Sequence, residues 1–135
     1  MSRLSVFALS ARLPGWAEAA CAEYAKRMPK GYEVARIAVK DHKRLRAALP
    51  RNARLIALDE KGKDYGTREF AGLLESEAAF VIGGADGLDP SIKQEASVVL
   101  RLSAMTLPHA LAQVLLLEQI YRAATILTGH PYHRE

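Results

Sequence analysis

Cysteine is almost missing from this 135-residue chain: Cys21 stands alone. One thiol excludes an internal disulfide and fits a reducing compartment. Its place in an Ala-rich helical pattern beside Trp16 and Tyr24 reads as a small buried hydrophobe, not a nucleophile. Long apolar runs are missing too, VLLL at 114–117 being cut at Glu118. Nothing approaches the roughly 20 apolar residues of a membrane span. The start, MSRLSVFALS, lacks the apolar stretch and small-residue cleavage site of a secretory leader. A cytoplasmic protein without membrane contact is therefore expected. Repeats, low-complexity segments and an internal linker are also wanting. Residues 1–135 thus read as one domain, with the ordinary apolar share of 50% and room for a core.

Acidic residues are scarce in the first half. Residues 1–58 hold 12 Lys and Arg against 4 Asp and Glu, while residues 59–135 hold 7 against 11. A basic half on a more acidic one suggests a face made for a polyanion. The densest run is KDHKRLR, residues 40–46, with Arg51 and Arg54 beyond it. Such a run is either a solvated helix face or a nucleic-acid contact, and its recurrence within two helical turns favours the second.

Apolar periodicity alternates strand and helix. Leu4–Leu9, Tyr32–Val39, Arg54–Leu58, Ala78–Ile82 and Ser97–Leu102 read as strands. Helices are expected over Leu13–Met28, with Trp16, Ala20, Tyr24 and Met28 as its apolar stripe, then from the Asp41 cap to Leu49. Others follow over Thr67–Ser76, Asp89–Ala96 and Leu107–Thr128, the last stopped by Gly129. DEKGKDYG, residues 59–66, reads as a loop. This order implies an α/β fold, a mainly parallel sheet with helices on both faces. Ligands in such folds bind beyond the carboxyl ends of the strands, here the loops after Leu58, Ile82 and Leu102.

VIGGADGLDP, residues 81–90, is neither a Walker loop nor a dinucleotide fingerprint, and alone it reads as a tight turn with Asp89 capping a helix. LSAMTLPHA, residues 102–110, offers hydroxyls from Ser103 and Thr106 and an apolar wall from Leu102, Met105 and Leu107. It suits an adenine ring or simply closes the core, with Thr106 as cap and Pro108 at the helix start. His109 packs or hydrogen-bonds locally. His130 and His133 lack third and fourth partners, so no metal is expected.

The last helix, ALAQVLLLEQIYRAATIL, is apolar nearly all round; Glu118 and Arg122 are its only charges and lie four residues apart. One layer of a small fold cannot hide both sides, so a homodimer packed through this helix is inferred. The tail, GHPYHRE, would then be held in place and could complete a neighbour's site. Tyr132 and His133 would donate or accept a proton, and Arg134 would supply a fixed charge.

IGGADGL, LSAMTLPHALAQVLLLEQIYRA and the terminal GHPYHRE together resemble the ribosomal RNA large subunit methyltransferase H family, small members of the SPOUT (α/β-knot) class. LSVFALSARLPGWAEAACAEYAKRMPK resembles that family's first strand and helix, so the likeness covers nearly the whole chain and is most specific over residues 80–135. It implies a C-terminal trefoil knot and S-adenosylmethionine held by Leu58, Gly83, Gly84 and the stretch Leu102, Ser103, Ala104, Met105, Thr106 and Leu107. It also implies methylation at N3 of a pseudouridine in 23S ribosomal RNA of the assembled ribosome. The matching functional positions are Glu118, Arg122, Tyr132, His133 and Arg134. Two departures stand out: GGADG where the family usually reads GGPEG, and a shorter segment between Val39 and Arg54. A non-catalytic RNA-binding dimer and a flavodoxin-like nucleotide binder are the competing readings of the residues alone.

Overall fold

The computed structural model describes residues 3–9, 12–84 and 86–134, with backbone only at 133 and 134. Five parallel strands form one sheet in the order β2-β1-β4-β3-β5, where β1 is Leu4–Leu9, β2 Val34–Val39, β3 Arg54–Asp64, β4 Ala78–Ile82 and β5 Val98–Arg101. Between and after them lie α1 (Gly15–Arg27), α2 (His42–Ala48), α3 (Thr67–Ala71), α4 (Pro90–Glu95) and α5 (His109–Thr128). The expected parallel sheet covered on both faces is the observed one.

Two-residue alternation along each strand builds two cores. Val6, Ala8, Ile56, Leu58, Phe80 and Leu100 face α1, α3 and α5, meeting Cys21, Phe70, Leu116, Leu117 and Ile120. Phe7, Leu9, Val39, Ala57 and Val81 face the other way, meeting Leu45 of α2 and Ile92 of α4. The central strand β4, AAFVI, is buried throughout, as a strand covered on both faces must be.

Local chemistry sets the helix ends. Asp41 accepts a hydrogen bond from the Arg44 N–H at 2.7 Å and caps α2. Gly129, at φ 76°, ends α5 in the left-handed conformation. Pro108 precedes α5 as its capping residue, and Thr106 plays no part there.

Four expectations need correction. The loop expected at residues 59–66 is largely strand: β3 continues to Asp64 after a bulge, so that Leu58 and later Lys63 both stand opposite Leu100. Gly62 makes this possible, since a Cβ there would come within 2.5 Å of the Leu100 carbonyl carbon. The helix expected over 67–76 splits into α3 and a 3-10 turn, Gly72–Glu75. Trp16 is 58% exposed, because the buried line of α1 runs through Ala17 and Cys21, one residue round from the expected stripe. Finally, α5 is long and apolar enough to cross a membrane by length and composition. Here it is a core helix: Leu116, Leu117, Ile120, Ala123 and Ala124 are fully buried against the sheet.

Candidate functional site

A cavity of about 390 Å³ opens beyond the carboxyl ends of β3, β4 and β5, where parallel sheets bind ligands. Each of the three loops supplies a wall. Leu58, Asp59 and Lys61 come from the end and bulge of β3; Ile82, Gly83 and Gly84 follow β4; Leu102, Ser103, Met105 and Leu107 follow β5. Lys93 of α4 and His109 of α5 close the sides. Of the expected cofactor residues, Leu58, Gly83, Gly84, Leu102, Ser103, Met105 and Leu107 meet at this cavity, whereas Ala104 and Thr106 share the loop without lining it.

The glycines are there for closeness. A Cβ on Gly83 would stand 2.6 Å from the Gly87 carbonyl carbon, and one on Gly84 would overlap the Leu9 carbonyl oxygen. The Gly87 N–H closes the turn on the Gly84 carbonyl at 3.0 Å. No side chain fits there, so main-chain groups face the cavity directly. On the facing loop the Ser103 hydroxyl oxygen accepts the Met105 N–H at 2.9 Å and turns the chain, leaving Met105 78% exposed at the mouth.

Charge in the cavity is mixed. Lys93 lies 3.6 Å from Asp59. Arg101 holds Asp64 through two hydrogen bonds, of 2.5 and 3.0 Å, and this keeps the Asp64 carboxyl below its usual range. Apolar walls from Leu58, Ile82, Leu102 and Leu107 beside paired cations and carboxylates fit a ligand that joins a flat ring to a zwitterion. S-adenosylmethionine has that composition. The charged residues are the part that sequence reasoning missed. Asp59, Lys93 and Arg101 are far apart in the chain and meet only through the parallel pairing of β3 with its neighbours.

The expected tail residues gather elsewhere, on the C-terminal half of α5. Arg122 pairs with Glu118 at 2.8 Å, and the Tyr132 hydroxyl donates to the same carboxylate oxygen at 2.9 Å. The Tyr132 ring stands edge-on to Tyr121 at 4.6 Å, with the Arg122 guanidinium 4.9 Å from its centroid. A 3-10 turn, Pro131–Arg134, folds the tail back on the helix. Burial, then hydrogen bonds with Tyr24 and Glu118, push the Tyr132 phenol far above its usual range. Such a shift favours the protonated phenol, which donates to Glu118. The His133 and Arg134 side chains lie outside the described residues. Glu118, Arg122 and Tyr132 do not line this cavity.

The basic run is partly spent inside the fold. Arg44 pairs with Asp41 at 2.7 Å, and Arg46 with Glu95 at 2.8 Å and the Ser91 hydroxyl at 2.7 Å. Lys40, Lys43, Arg51 and Arg54 remain exposed.

Residues 2–133 match a family model described as "Predicted SPOUT methyltransferase". A ribosomal RNA large subunit methyltransferase H from Paraburkholderia xenovorans strain LB400 is 44% identical over 154 aligned residues, covering 98% of this chain and 99% of that protein. The protein of the same name from Polynucleobacter asymbioticus is 47% identical over 146, with the same coverage. Among solved structures, a probable methylase family protein from Haemophilus influenzae Rd KW20 superposes with a TM-score of 0.61 at 12% identity, over 97% of this chain and 69% of that one. The SpoU methyltransferase AviRb from Streptomyces viridochromogenes, in complex with AdoMet, gives 0.53 at 15% identity over 88% and 56%.

Proposed function

The chain belongs to the SPOUT methyltransferase family, and from that premise we propose that it methylates N3 of a pseudouridine in 23S ribosomal RNA on the assembled ribosome. It acts, on this reading, as a cytoplasmic homodimer with a trefoil-knotted C-terminal half, each subunit's tail completing the other's site. The methyl donor of the family is S-adenosylmethionine, whose sulfonium supplies an electrophilic methyl group when bound. The observation that carries the reading is the glycine-lined cavity at the ends of β3, β4 and β5, assembled from the three loops the family would use.

The roles divide by chemistry. Leu58, Leu102 and Leu107 flank the flat part of the donor, Gly83 and Gly84 admit it to the main chain, and residues 102–107 form the rest of the cradle. Lys93, Asp59 and Arg101 stand where the donor's own charged groups need partners. A ring N3–H is unreactive while protonated, so a proton acceptor is required. His133 of the partner subunit takes that role, and the partner's Arg134 stabilises the anion developing on the base. Glu118, Arg122 and Tyr132 position that tail. Close backbone contacts of Gly84 with Leu9 and of Gly62 with Leu100 are consistent with the tight crossing that a knot requires. Homodimerisation is supported by Leu111 and Leu115, apolar side chains along α5 that their own chain leaves only partly buried.

Incubating the protein with labelled S-adenosylmethionine and either assembled ribosomes or free subunits, then mapping the methylated base, tests the proposal. Label at N3 of one pseudouridine, on assembled ribosomes only, is expected. Donor binding without label would overturn the substrate assignment; no donor binding would leave a non-catalytic RNA-binding dimer.

A further inference from the structure

A second cavity, of about 280 Å³, lies on the α1–α5 face of β1 and β2. Its floor is apolar, from Val6, Ala8 and Leu13, and its polar groups are Arg12, Gln113 and the ion-paired Glu18 and Arg36. Three observations give it meaning. Arg36 is bound through its two terminal nitrogens to Glu18, at 3.1 and 3.0 Å, yet its Nε is buried without a partner. A buried donor left so is costly and marks the wall of this cavity as polar. The cavity also borders the edge strand β2, in the half of the chain with the large excess of positive charge. Lastly, Gln113 lines this cavity, His109 lines the donor cavity, and their side chains are hydrogen-bonded at 2.8 Å. The first turns of α5 are therefore the partition between the two.

We propose that this cavity holds one nucleotide of the RNA substrate strand, its phosphate met by Arg12 and its base seated on the floor of Val6, Ala8 and Leu13 beside Gln113, with Arg36 and Glu18 forming the wall behind it. The inference rests on the methyltransferase reading and adds a substrate subsite that the donor pocket does not contain. An apolar floor with a guanidinium group beside it is the chemistry that accepts a base and its phosphate together. The α5 partition sets this nucleotide beside the one being methylated.

The test uses Arg12→Ala, Arg12→Lys and Ala38→Phe in the full-length protein. Ala38 is exposed on the edge strand and lines the cavity, so a ring there fills the space without disturbing the core. Donor affinity is read by calorimetry, ribosome affinity across a salt series, and methylation as kcat/KM with ribosomes. Expected are unchanged donor affinity for all three, a kcat/KM lowered roughly tenfold or more for Arg12→Ala and Ala38→Phe, and partial recovery in Arg12→Lys. The salt slope of ribosome binding should fall by about one for Arg12→Ala, the mark of one lost phosphate contact. Wild-type kcat/KM and slope in both Arg12→Ala and Ala38→Phe would overturn the subsite while leaving the methyltransferase reading intact. A dimer that dissociates in Arg12→Ala would assign the cavity to the partner subunit instead. Failure of the unaltered protein to methylate ribosomal RNA would overturn the underlying reading, and this inference with it.

Discussion

The Tyr132 hydroxyl donates to Glu118 Oε2 at 2.9 Å, across fourteen residues of chain. Arg122 neutralises the same carboxylate, so one acid on α5 holds both a helix cation and the tail. The tail therefore leaves the fold from a fixed point rather than as a free end.

This contact has a pH signature. The folded-state pKa of Tyr132 is raised by burial and by its partners. Its stabilisation is thus fully present below the unfolded phenol value of about 10 and is lost as pH rises beyond it. Tyr132→Phe should cost about 1 kcal/mol at neutral pH and flatten the loss of stability on the alkaline side. Denaturant titrations at pH 7 and above pH 10 check both, and an unchanged alkaline slope would contradict the assignment.

Two glycines should respond in opposite ways. Gly84→Ala drives a methyl group into the Leu9 carbonyl, so about 1–3 kcal/mol of stability is lost and donor affinity falls with the distorted turn. Gly72 has nothing within 4 Å of an added Cβ and sits at φ −60° and ψ −25°. Gly72→Ala should stabilise by about 0.4–1 kcal/mol through the unfolded chain. Thermal melts and donor calorimetry distinguish the pair.

Acid should loosen the edge of the sheet near the donor cavity. Arg101 lowers the Asp64 pKa, chiefly through their hydrogen bonds. The stabilisation is present above the unfolded Asp value of about 3.9 and lost as pH falls through the lower folded value. Asp64→Asn should remove that part of the acid dependence, read as a shallower loss of stability with falling pH below about 4.

Leu111→Glu places a charge on the half-buried line of α5. Sedimentation should show monomers with donor affinity largely kept and methyl transfer lost. A variant that remains dimeric would move the interface off this line.

Most of the architecture was readable in the chain because it follows from local chemistry. Alternation marked β2, a short apolar run marked β4, Asp41 announced α2, and Gly129 ended α5. The loops that line the larger cavity were readable from topology, since the element order says which end of a parallel sheet is open to a ligand. What escaped depends on contacts between distant residues. DEKGKD carries no apolar alternation, and its strand character comes from backbone pairing with β5 that only Gly62 permits. Trp16 fits an i, i+4 stripe, yet the face that meets the sheet is set by how α1 docks, one residue away. Asp59, Lys93 and Arg101 carry no spacing signal at all. The packing of Tyr132 against Tyr121 and its bond to Glu118 carry no spacing signal either.

Mixing two disabled proteins tests the central claim most directly. One lacks residues 130–135 and keeps its donor cavity; the other keeps its tail and carries Gly84→Ala. After exchange of subunits, a tail that serves its partner makes one working site in each mixed dimer, so methylation should return to about a quarter of the unaltered rate. A mixture as inactive as its two components would show that the tail does not act across the dimer.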